Sequence, residues 1–397
     1  MRFSSLNTFY ISSFLKAQIL LLPILYLFYL DNGLKLSDYF FIQGLIVIIN
    51  VLLQIPVGLI SNYISRKYLI ITSYVIYLLR IILWLSGSGY LIVLIGEIFY
   101  AVSKSIFDAV EAPYIYEVLQ DNNNENKMLK NYSYLNFAVC LGCGMASLLG
   151  AYLYNYFNEY KILLLVELII MSFAILFAFY IPKASVGNKY KYSFEKIKKA
   201  GAFILKSQKY FIPILYSAIL VAFSHFFFWS FQPLMKAAFI PIPLFGGVIL
   251  VNNILRALGS INTSLISEKI SFFAHGIMVF IINIAAFTLF CFADNALNNK
   301  YFCMIFILFL CLSIALQLSF SIRQGTYLQD EIPNRLRGYI AGVNMFFARM
   351  CIGIVLILPK YIHHNFSLNQ IYNIYFVLFV VLNLLLIPKF AKLFKRV

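Results

Sequence analysis

The sequence consists of long apolar runs separated by short polar segments, and this pattern continues along the whole chain. A helix that crosses a bilayer needs about 20 mostly apolar residues. No small-residue cleavage site follows the first run, so we interpret it as a retained span and not as a signal peptide. We therefore predict an all-α polytopic membrane protein with twelve transmembrane helices. The predicted spans are residues 10–30, 38–60, 68–87, 90–117, 132–156, 160–182, 210–233, 241–264, 271–292, 301–325, 338–360 and 369–388.

The composition agrees with this pattern. Hydrophobic residues make up 62% of the 397 residues and charged residues only 12%. A soluble domain is about half apolar and about a quarter charged. These proportions exclude a soluble enzyme, a disordered protein and a nucleic-acid-binding protein. The six cysteines lie in apolar runs, where we expect small buried residues and no disulfide framework.

The net charge of +16 is distributed unevenly among the predicted loops. With the N-terminus inside, the cytoplasmic segments hold 20 of the 31 Lys and Arg residues, and the outside segments hold five. Cytoplasmic loops of membrane proteins are enriched in these two residues. The charge distribution therefore predicts that both termini are cytoplasmic.

Two short matches suggest an internal duplication. Leu59–Ser65 and Leu265–Ser271 share five of seven positions at an offset of 206, and each follows the second span of its half. Leu119–Asp121 and Leu328–Asp330 are identical at an offset of 209, after the fourth span of each half. Parallel six-helix repeats occur in transporters, with the binding site between the repeats. We predict two six-helix bundles related by a pseudo-twofold axis, residues 1–182 and 210–397, joined by a basic cytoplasmic linker, residues 183–209.

Three segments resemble a known family. Gly58–Lys67 resembles the G-x-L-x-D-x-x-G-R-[RK] loop of the major facilitator superfamily (MFS), Asp108–Leu119 is similar to the end of helix 4 in permeases of that superfamily, and Tyr327–Arg349 looks like their helix 10–11 loop. The resemblance extends over nearly the whole chain. It implies a bacterial permease that works by alternating access, with helices 1, 4, 7 and 10 around the cavity.

The loop after the second span departs from the family pattern. The resemblance implies a gating loop that contains Gly58, Asn62, Arg66 and Lys67. Asn62 stands where the family has an acidic residue, so it cannot supply a fixed charge. The matching position of the second half is Glu268, and we expect the acidic role to have moved there.

The fourth span carries a charged stripe. Glu97, Lys104, Asp108 and Glu111 fall within about 60° of one another on a helix that turns 100° per residue. Ionisable residues inside a bilayer face a partner, a cavity or water, because exposure to lipid is costly. The stripe is either a wall of the translocation path, which we favour, or an internal ladder of salt bridges. Since burial and like charge favour the protonated form of a carboxyl group, Asp108 and Glu111 are our candidates for proton coupling.

Other ionisable residues inside spans complete the candidate site. Arg80 is expected to pair with Glu97 or Glu167, in a structural or gating role. The predicted spans of the second half contain cations and no Asp or Glu, and an Arg fork suits a carboxylate or phosphate. His225 is either a buried neutral histidine or a proton relay. The residues expected to line the cavity are Lys16, Glu97, Lys104, Asp108, Glu111, His225, Arg256 and Arg349.

These features predict a secondary active transporter of the bacterial cytoplasmic membrane. We expect a small organic solute, anionic or amphipathic, with protons as the coupling ion and a monomeric protein. Drug or metabolite efflux and uptake of a siderophore-like acid stay open, as do a non-transporting receptor and a membrane-embedded enzyme. The sequence contains no cofactor motif, no metal-ligand spacing and no catalytic set, so we expect no cofactor, metal, nucleic acid or enzymatic activity.

Overall fold

The computed structural model describes residues 6–121, 128–183, 194–292, 299–331, 337–362 and 368–394. Within these ranges the regular elements are helices. A short 3₁₀ helix, Leu22–Ile24, separates the first two α-helices. The α-helices are α1 (Asn7–Lys16), α2 (Leu25–Asp31), α3 (Leu36–Ile60), α4 (Arg66–Ser86), α5 (Tyr90–Asp121), α6 (Met128–Phe157), α7 (Tyr160–Phe179), α8 (Phe194–Lys206), α9 (Gln208–Ala237), α10 (Ile242–Ile261), α11 (Thr263–Lys269), α12 (Phe272–Phe292), α13 (Lys300–Glu331), α14 (Arg337–Ile362) and α15 (Leu368–Phe394).

The helices confirm the predicted fold class. Among the described residues, eleven helices are long and apolar enough to cross a membrane: α3 to α7, α9, α10 and α12 to α15. Each coincides with one predicted span to within a few residues. The twelfth predicted span, residues 10–30, differs, because it consists of α1, the 3₁₀ helix and α2.

The break in the first span has a local cause. Pro23 stands at the start of the 3₁₀ helix, and a proline has no N–H and clashes with the preceding helical turn. Other prolines, such as Pro56 and Pro113, lie inside continuous helices. What differs here is an acceptor outside the helix, because the Leu20 N–H donates to the Glu167 carboxylate at 3.1 Å. A broken membrane helix is tolerated where its freed backbone groups find other partners.

Contacts along the backbone divide the chain into two compact units. The first unit comprises Met1–Lys35, Ile46–Tyr192 and Pro241–Leu250. The second comprises Leu36–Leu45, Ser193–Ile240 and Val251–Val397. The beginning of α3 thus belongs to the second unit, and the beginning of α10 belongs to the first.

In the first unit, α4 packs on α5 and α7, and α1 packs on α6 and α7. Small residues allow α6 to lie close to the broken first span. A Cβ atom at Gly142 would meet the Phe14 carbonyl oxygen, and one at Gly150 would meet the Leu20 carbonyl oxygen. These close backbone approaches hold both sides of the break.

In the second unit, α9 is the central helix and packs on α13, α14 and α15. The amphipathic α8 buries Ala200 and Ile204 against Ile214, Leu328 and Ile340. The beginning of α3 also packs here, where the Phe40 and Phe226 ring centroids are 5.3 Å apart. Each of these contacts is apolar, so the interior of this unit is mostly hydrophobic.

Candidate functional site

The first unit contains a group of polar side chains on α1, α3, α5 and α6, which we call the polar cluster: Lys16, Asn50, Lys104, Asp108, Glu111 and Tyr132. Asp108 accepts hydrogen bonds from Lys104 Nζ at 3.2 Å and from Asn50 Nδ2 at 3.4 Å. Glu111 accepts one from the Tyr132 hydroxyl at 3.3 Å. The helical spacing of the stripe explains why Lys104, Asp108 and Glu111 point the same way.

Lys16 lies at the C-terminal end of α1, where the helix dipole favours a cation. Its ammonium is 3.7 Å from the centroid of the Phe107 ring and 5.3 Å from that of Tyr74. It also interacts electrostatically with Asp108 and Glu111. The polar cluster therefore joins two lysines and two carboxyl groups, so its formal charges balance.

Glu97 is not part of the polar cluster, although it shares the α5 stripe. It belongs to a second group on α2, α4, α5 and α7, which we call the buried ion network: Tyr29, Tyr77, Arg80, Glu97 and Glu167. Arg80 Nη2 donates to Glu97 Oε1 at 3.1 Å, and Arg80 Nη1 is 4.0 Å from Glu167 Oε1. The sequence predicted a pairing of Arg80 with Glu97 or Glu167, and the structure brings Arg80 to both glutamates. The arrangement provides partners for both terminal nitrogens of the buried guanidinium, whereas its Nε has no hydrogen-bond partner among the described residues.

Two tyrosines complete the buried ion network. The Tyr29 hydroxyl donates to Glu97 Oε1 at 2.7 Å. Arg80 Nη1 donates to the Tyr77 hydroxyl oxygen at 3.0 Å, and the same hydroxyl donates to Glu167 Oε1. The Arg80 guanidinium also lies 4.0 Å from the centroid of the Trp84 ring. Such a stacked arginine gains cation–π attraction besides its ion pairs.

Exposure separates the two groups. The side chains of Arg80 and Glu97 are 3% and 2% exposed. In the polar cluster, the side chains of Lys104 and Asp108 are 45% and 13% exposed. Part of the polar cluster is therefore open to its surroundings, whereas the buried ion network is enclosed by protein.

The second unit contributes cations. His225 on α9 interacts electrostatically with Arg256 on α10 and Arg349 on α14, and its Nδ1 is 3.1 Å from the Val221 carbonyl oxygen. A cavity of about 280 Å³ lies between α9, α13 and α14, and His225, Arg256 and Arg349 are not among its lining residues. Its wall includes Val221, one helical turn from His225, and Ala348, next to Arg349. Among the described residues, no carboxylate forms an ion pair with Arg256.

A sequence model of the Major Facilitator Superfamily matches residues 5–358. The chain belongs to the Major Facilitator Superfamily. Its fold is that of the superfamily's solved transporters. A mutant of the nucleoside transporter NupG has a TM-score of 0.76 at 14% identity, covering 98% of this chain and 100% of that chain. NupG itself has a TM-score of 0.75 at 13% identity, covering 98% and 99%.

A third solved structure is a bacterial homologue of the human lysosomal transporter Spinster, in an inward-facing and unoccupied conformation. Its TM-score is 0.68 at 14% identity, and the match covers 89% of this chain and 80% of that chain. No curated protein matches the sequence. At these identities the likeness concerns the fold and not the transported solute.

The loop that resembles the superfamily's signature adopts a compact turn before α4. The Ser61 hydroxyl donates to the Gly58 carbonyl oxygen at 2.7 Å. Lys67 Nζ donates to the Phe179 carbonyl oxygen at 2.7 Å, and Arg66 forms an ion pair with Glu117 on α5. Glu117 therefore supplies the carboxylate that pairs with Arg66 in the first unit. The loop position that is acidic in the family is Asn62 here and has no charge. Glu268 is an exposed residue of α11 in the second unit.

Several contacts of this transporter could not be predicted from the sequence. The partner of Arg66, Glu117, lies in the segment that resembles the end of helix 4, but the sequence does not indicate which cation it meets. The hydroxyl groups of Tyr29 and Tyr77 could not be distinguished from those of the other 27 tyrosines. The bond from the Leu20 N–H to Glu167 requires the helix break, for which Pro23 was the one available signal.

Proposed function

We propose that the protein is a proton-coupled secondary transporter that moves a small organic solute, anionic or amphipathic, by alternating access. The polar cluster carries this proposal, because ionisable side chains inside membrane spans are costly unless they face a partner, a cavity or water, and this cluster is partly exposed. We assign it to the bacterial cytoplasmic membrane as a monomer with both termini in the cytoplasm. We assign it no catalytic activity. The charge distribution of the loops supports this orientation.

The proton is assigned to the carboxyl groups of the polar cluster. Asp108 is held by a lysine and an amide, whereas the hydrogen bond to Glu111 comes from a tyrosine. Glu111 is therefore the less firmly held anion, and we assign the proton to it first and to Asp108 second. A proton on either residue leaves the cluster with an excess positive charge, because Lys16 and Lys104 are then opposed by one carboxylate. An anionic solute would restore the balance.

The second unit supports an anionic solute. Arg256 and Arg349 lie close enough to His225 to interact with it, and the described helices around them bring no acid to Arg256. Guanidinium groups bind carboxylate and phosphate with paired hydrogen bonds. The mostly apolar cavity of about 280 Å³, whose lining includes Ala348 next to Arg349, suits the hydrophobic part of an amphipathic solute.

The direction of transport divides the remaining candidates. Efflux of a drug or metabolite and uptake of a siderophore-like acid both fit the same residues. A receptor with a transporter fold would bind a solute without saturable flux, and a membrane-embedded enzyme would convert it. Nucleosides are included among the solutes to be tested, because two of the similar structures are those of a nucleoside transporter.

The test begins with a thermal-shift screen of purified protein against metabolites, nucleosides and drugs at several pH values. Solutes that stabilise the protein are then followed in proteoliposomes, with and without a pH gradient. We expect Asp108→Asn and Glu111→Gln each to abolish accumulation driven by the gradient while sparing exchange. Asp121→Asn, the same change at the exposed end of α5, is the matched control and should transport normally.

Two results would contradict parts of the proposal. Proton dependence that is unchanged in both Asp108→Asn and Glu111→Gln would remove these residues from coupling. Neutral analogues that bind as tightly as the anionic solute would remove the role assigned to Arg256 and Arg349. Binding without any flux would favour the receptor.

A further inference from the structure

The buried ion network holds one cation for two carboxyl groups. Glu97 and Glu167 are each 2% exposed, and Arg80 is 3% exposed. With both glutamates ionised, the network would carry a net negative charge in the interior of the unit. An uncompensated buried charge is costly, so one of the two carboxyl groups is disposed to take up a proton when the pH falls.

The other groups around Glu167 do not change this count. On α4, Tyr77 and Arg80 face Glu167. On α5, Glu97 and Tyr100 interact with Arg80. The first span offers the backbone N–H groups of Leu20 and Leu21, which are uncharged, and its Lys16 and Tyr10 make their contacts at Phe107 and Asn131 instead. From α6, Tyr154 donates a hydrogen bond to Tyr160, at the N-terminal end of α7, seven residues before Glu167. Arg80 is therefore the cation that neutralises this site.

The geometry indicates that Glu167, and not Glu97, is the carboxyl group that takes up the proton. Glu97 Oε1 receives the direct hydrogen bond of Arg80 at 3.1 Å and a second one from Tyr29 at 2.7 Å. Glu167 stands 4.0 Å from the guanidinium and meets it through the Tyr77 hydroxyl. The carboxylate closest to the guanidinium keeps its negative charge, because ion pairing weakens with distance.

The hydrogen bonds determine which oxygen of Glu167 takes the proton. Arg80 Nη1 donates to the Tyr77 hydroxyl oxygen, so the Tyr77 proton is directed to Glu167 Oε1. Oε2 faces the Leu20 N–H. A proton on Oε2 turns a charged carboxylate oxygen into a neutral hydroxyl oxygen, which accepts the Leu20 N–H much more weakly, because hydrogen bonds to charged groups are the stronger ones. Protonation therefore weakens that contact.

We propose that Glu167 binds a proton on Oε2 and that this protonation releases the Leu20 N–H, which frees the break in the first membrane span. The site lies outside the polar cluster and takes a proton as its ligand. The break begins at the residue after Lys16, so its release changes how α1 presents Lys16 to the polar cluster. Two separate carboxyl sites of the first unit thereby respond to protons.

Hydrogen–deuterium exchange of the full-length protein tests the release directly. We measure exchange at Leu20 in the parent and in Glu167→Gln at two pH values, corrected for the intrinsic pH dependence of exchange. In the parent, acidification should speed exchange at Leu20 about tenfold, the effect of one lost hydrogen bond of ordinary net strength. Glu167→Gln imitates the protonated group and should exchange fast at both pH values.

Tryptophan fluorescence supplies a second readout, because Trp84 lies against Arg80 and the chain has only one other tryptophan, Trp229. In a Trp229→Phe background, Trp84 emission should titrate with pH. Glu167→Gln should abolish that titration. Asp108→Asn and Glu111→Gln should retain it, even where they abolish transport, so this proposal and the proposed function fail independently.

Three outcomes would overturn the inference. They are exchange at Leu20 that does not depend on pH in the parent, slow exchange at Leu20 in Glu167→Gln, and a Trp84 titration that persists in Glu167→Gln. The first needs no substitution, so the proposal stays testable if Glu167→Gln does not fold.

Discussion

The polar cluster and the buried ion network have the same ingredients and opposite surroundings. Both lie in the first unit, both use α5, and each contains two carboxyl groups. In the polar cluster, Lys104 is nearly half exposed and the charges balance. In the buried ion network, Arg80 and Glu97 are almost fully enclosed and the carboxyl groups outnumber the cation. Residue type alone therefore does not indicate whether a charged stripe serves a solute or holds helices together.

The difference arises from the neighbours of each side chain. Near Glu97, the helix α5 is flanked by aromatic side chains, including Trp84 and Tyr77, which exclude water. Near Lys104 and Asp108 the facing side chain is Asn50, a small polar group. A charge among aromatic rings must find its partners in the protein, whereas a charge beside a small polar group can keep water or exchange it for a solute.

Removing Arg80 should cause the largest loss of stability. It is also the most direct test of whether the buried ion network and the polar cluster differ. Arg80→Ala leaves Glu97 buried without its direct cation, and breaking a buried pair from one side costs about 3–5 kcal/mol. Lys104→Ala removes the partner of a more exposed carboxylate and should cost less than about 1 kcal/mol. Both are measured as shifts in unfolding of the purified protein. Equal losses in the two variants would show that the two regions do not differ in burial.

Cysteine labelling tests the difference in water access. In a background without the six native cysteines, Lys104→Cys should react with a membrane-impermeant maleimide at least about tenfold faster than Val93→Cys, since reaction needs a water-exposed thiolate. Val93 is fully buried and lies one helical turn from Glu97. Comparable rates at both positions, or no labelling of Lys104→Cys, would mean that the polar cluster is not open to water.

The smallest effect is expected where a glutamate–lysine pair lies fully in solvent. Lys199 Nζ is 2.6 Å from Glu195 Oε1 on α8, and this hydrogen bond lowers the pKa of Glu195. A lowered pKa contributes stability above the pKa of the unfolded chain, and that contribution is lost as pH falls through the folded value. Because the pair is exposed and screened by salt, Glu195→Gln should not measurably change stability at neutral pH or its acid dependence. A clear loss would indicate that α8 is covered in the membrane-bound protein.

Much of the fold followed from the sequence. Apolar runs of membrane-spanning length located the eleven long helices, because in a bilayer the length and hydropathy of a segment nearly define its structure. The stripe periodicity also brought Lys104, Asp108 and Glu111 together, as any helix must. The first span was the exception. Its hydropathy does not reveal the break in the helix, because that break is stabilised by a carboxylate that is distant along the chain. Pro23 indicated a place where a break could occur, but prolines at other positions left their helices intact.

The arrangement of the candidate site could be predicted from the sequence only in part. The angular position of Glu97 on α5 agreed with that of Asp108, yet the two lie in different groups, since position along the helix decides which neighbouring helix each one meets. Arg66 met Glu117 and not an acidic residue in its own loop. The internal duplication and the boundaries of the two halves stay predictions from sequence.

The sequence by itself determined the membrane location, the helices and the family, because these depend on hydropathy, length and short motifs. Only the tertiary structure decided which charges are exposed and which are enclosed, because burial depends on side chains that are distant along the chain. Glu167 shows the difference most clearly, since 147 positions separate it from Leu20, whose N–H it accepts. A one-dimensional pattern locates a charge along a span, and three-dimensional packing determines its partner.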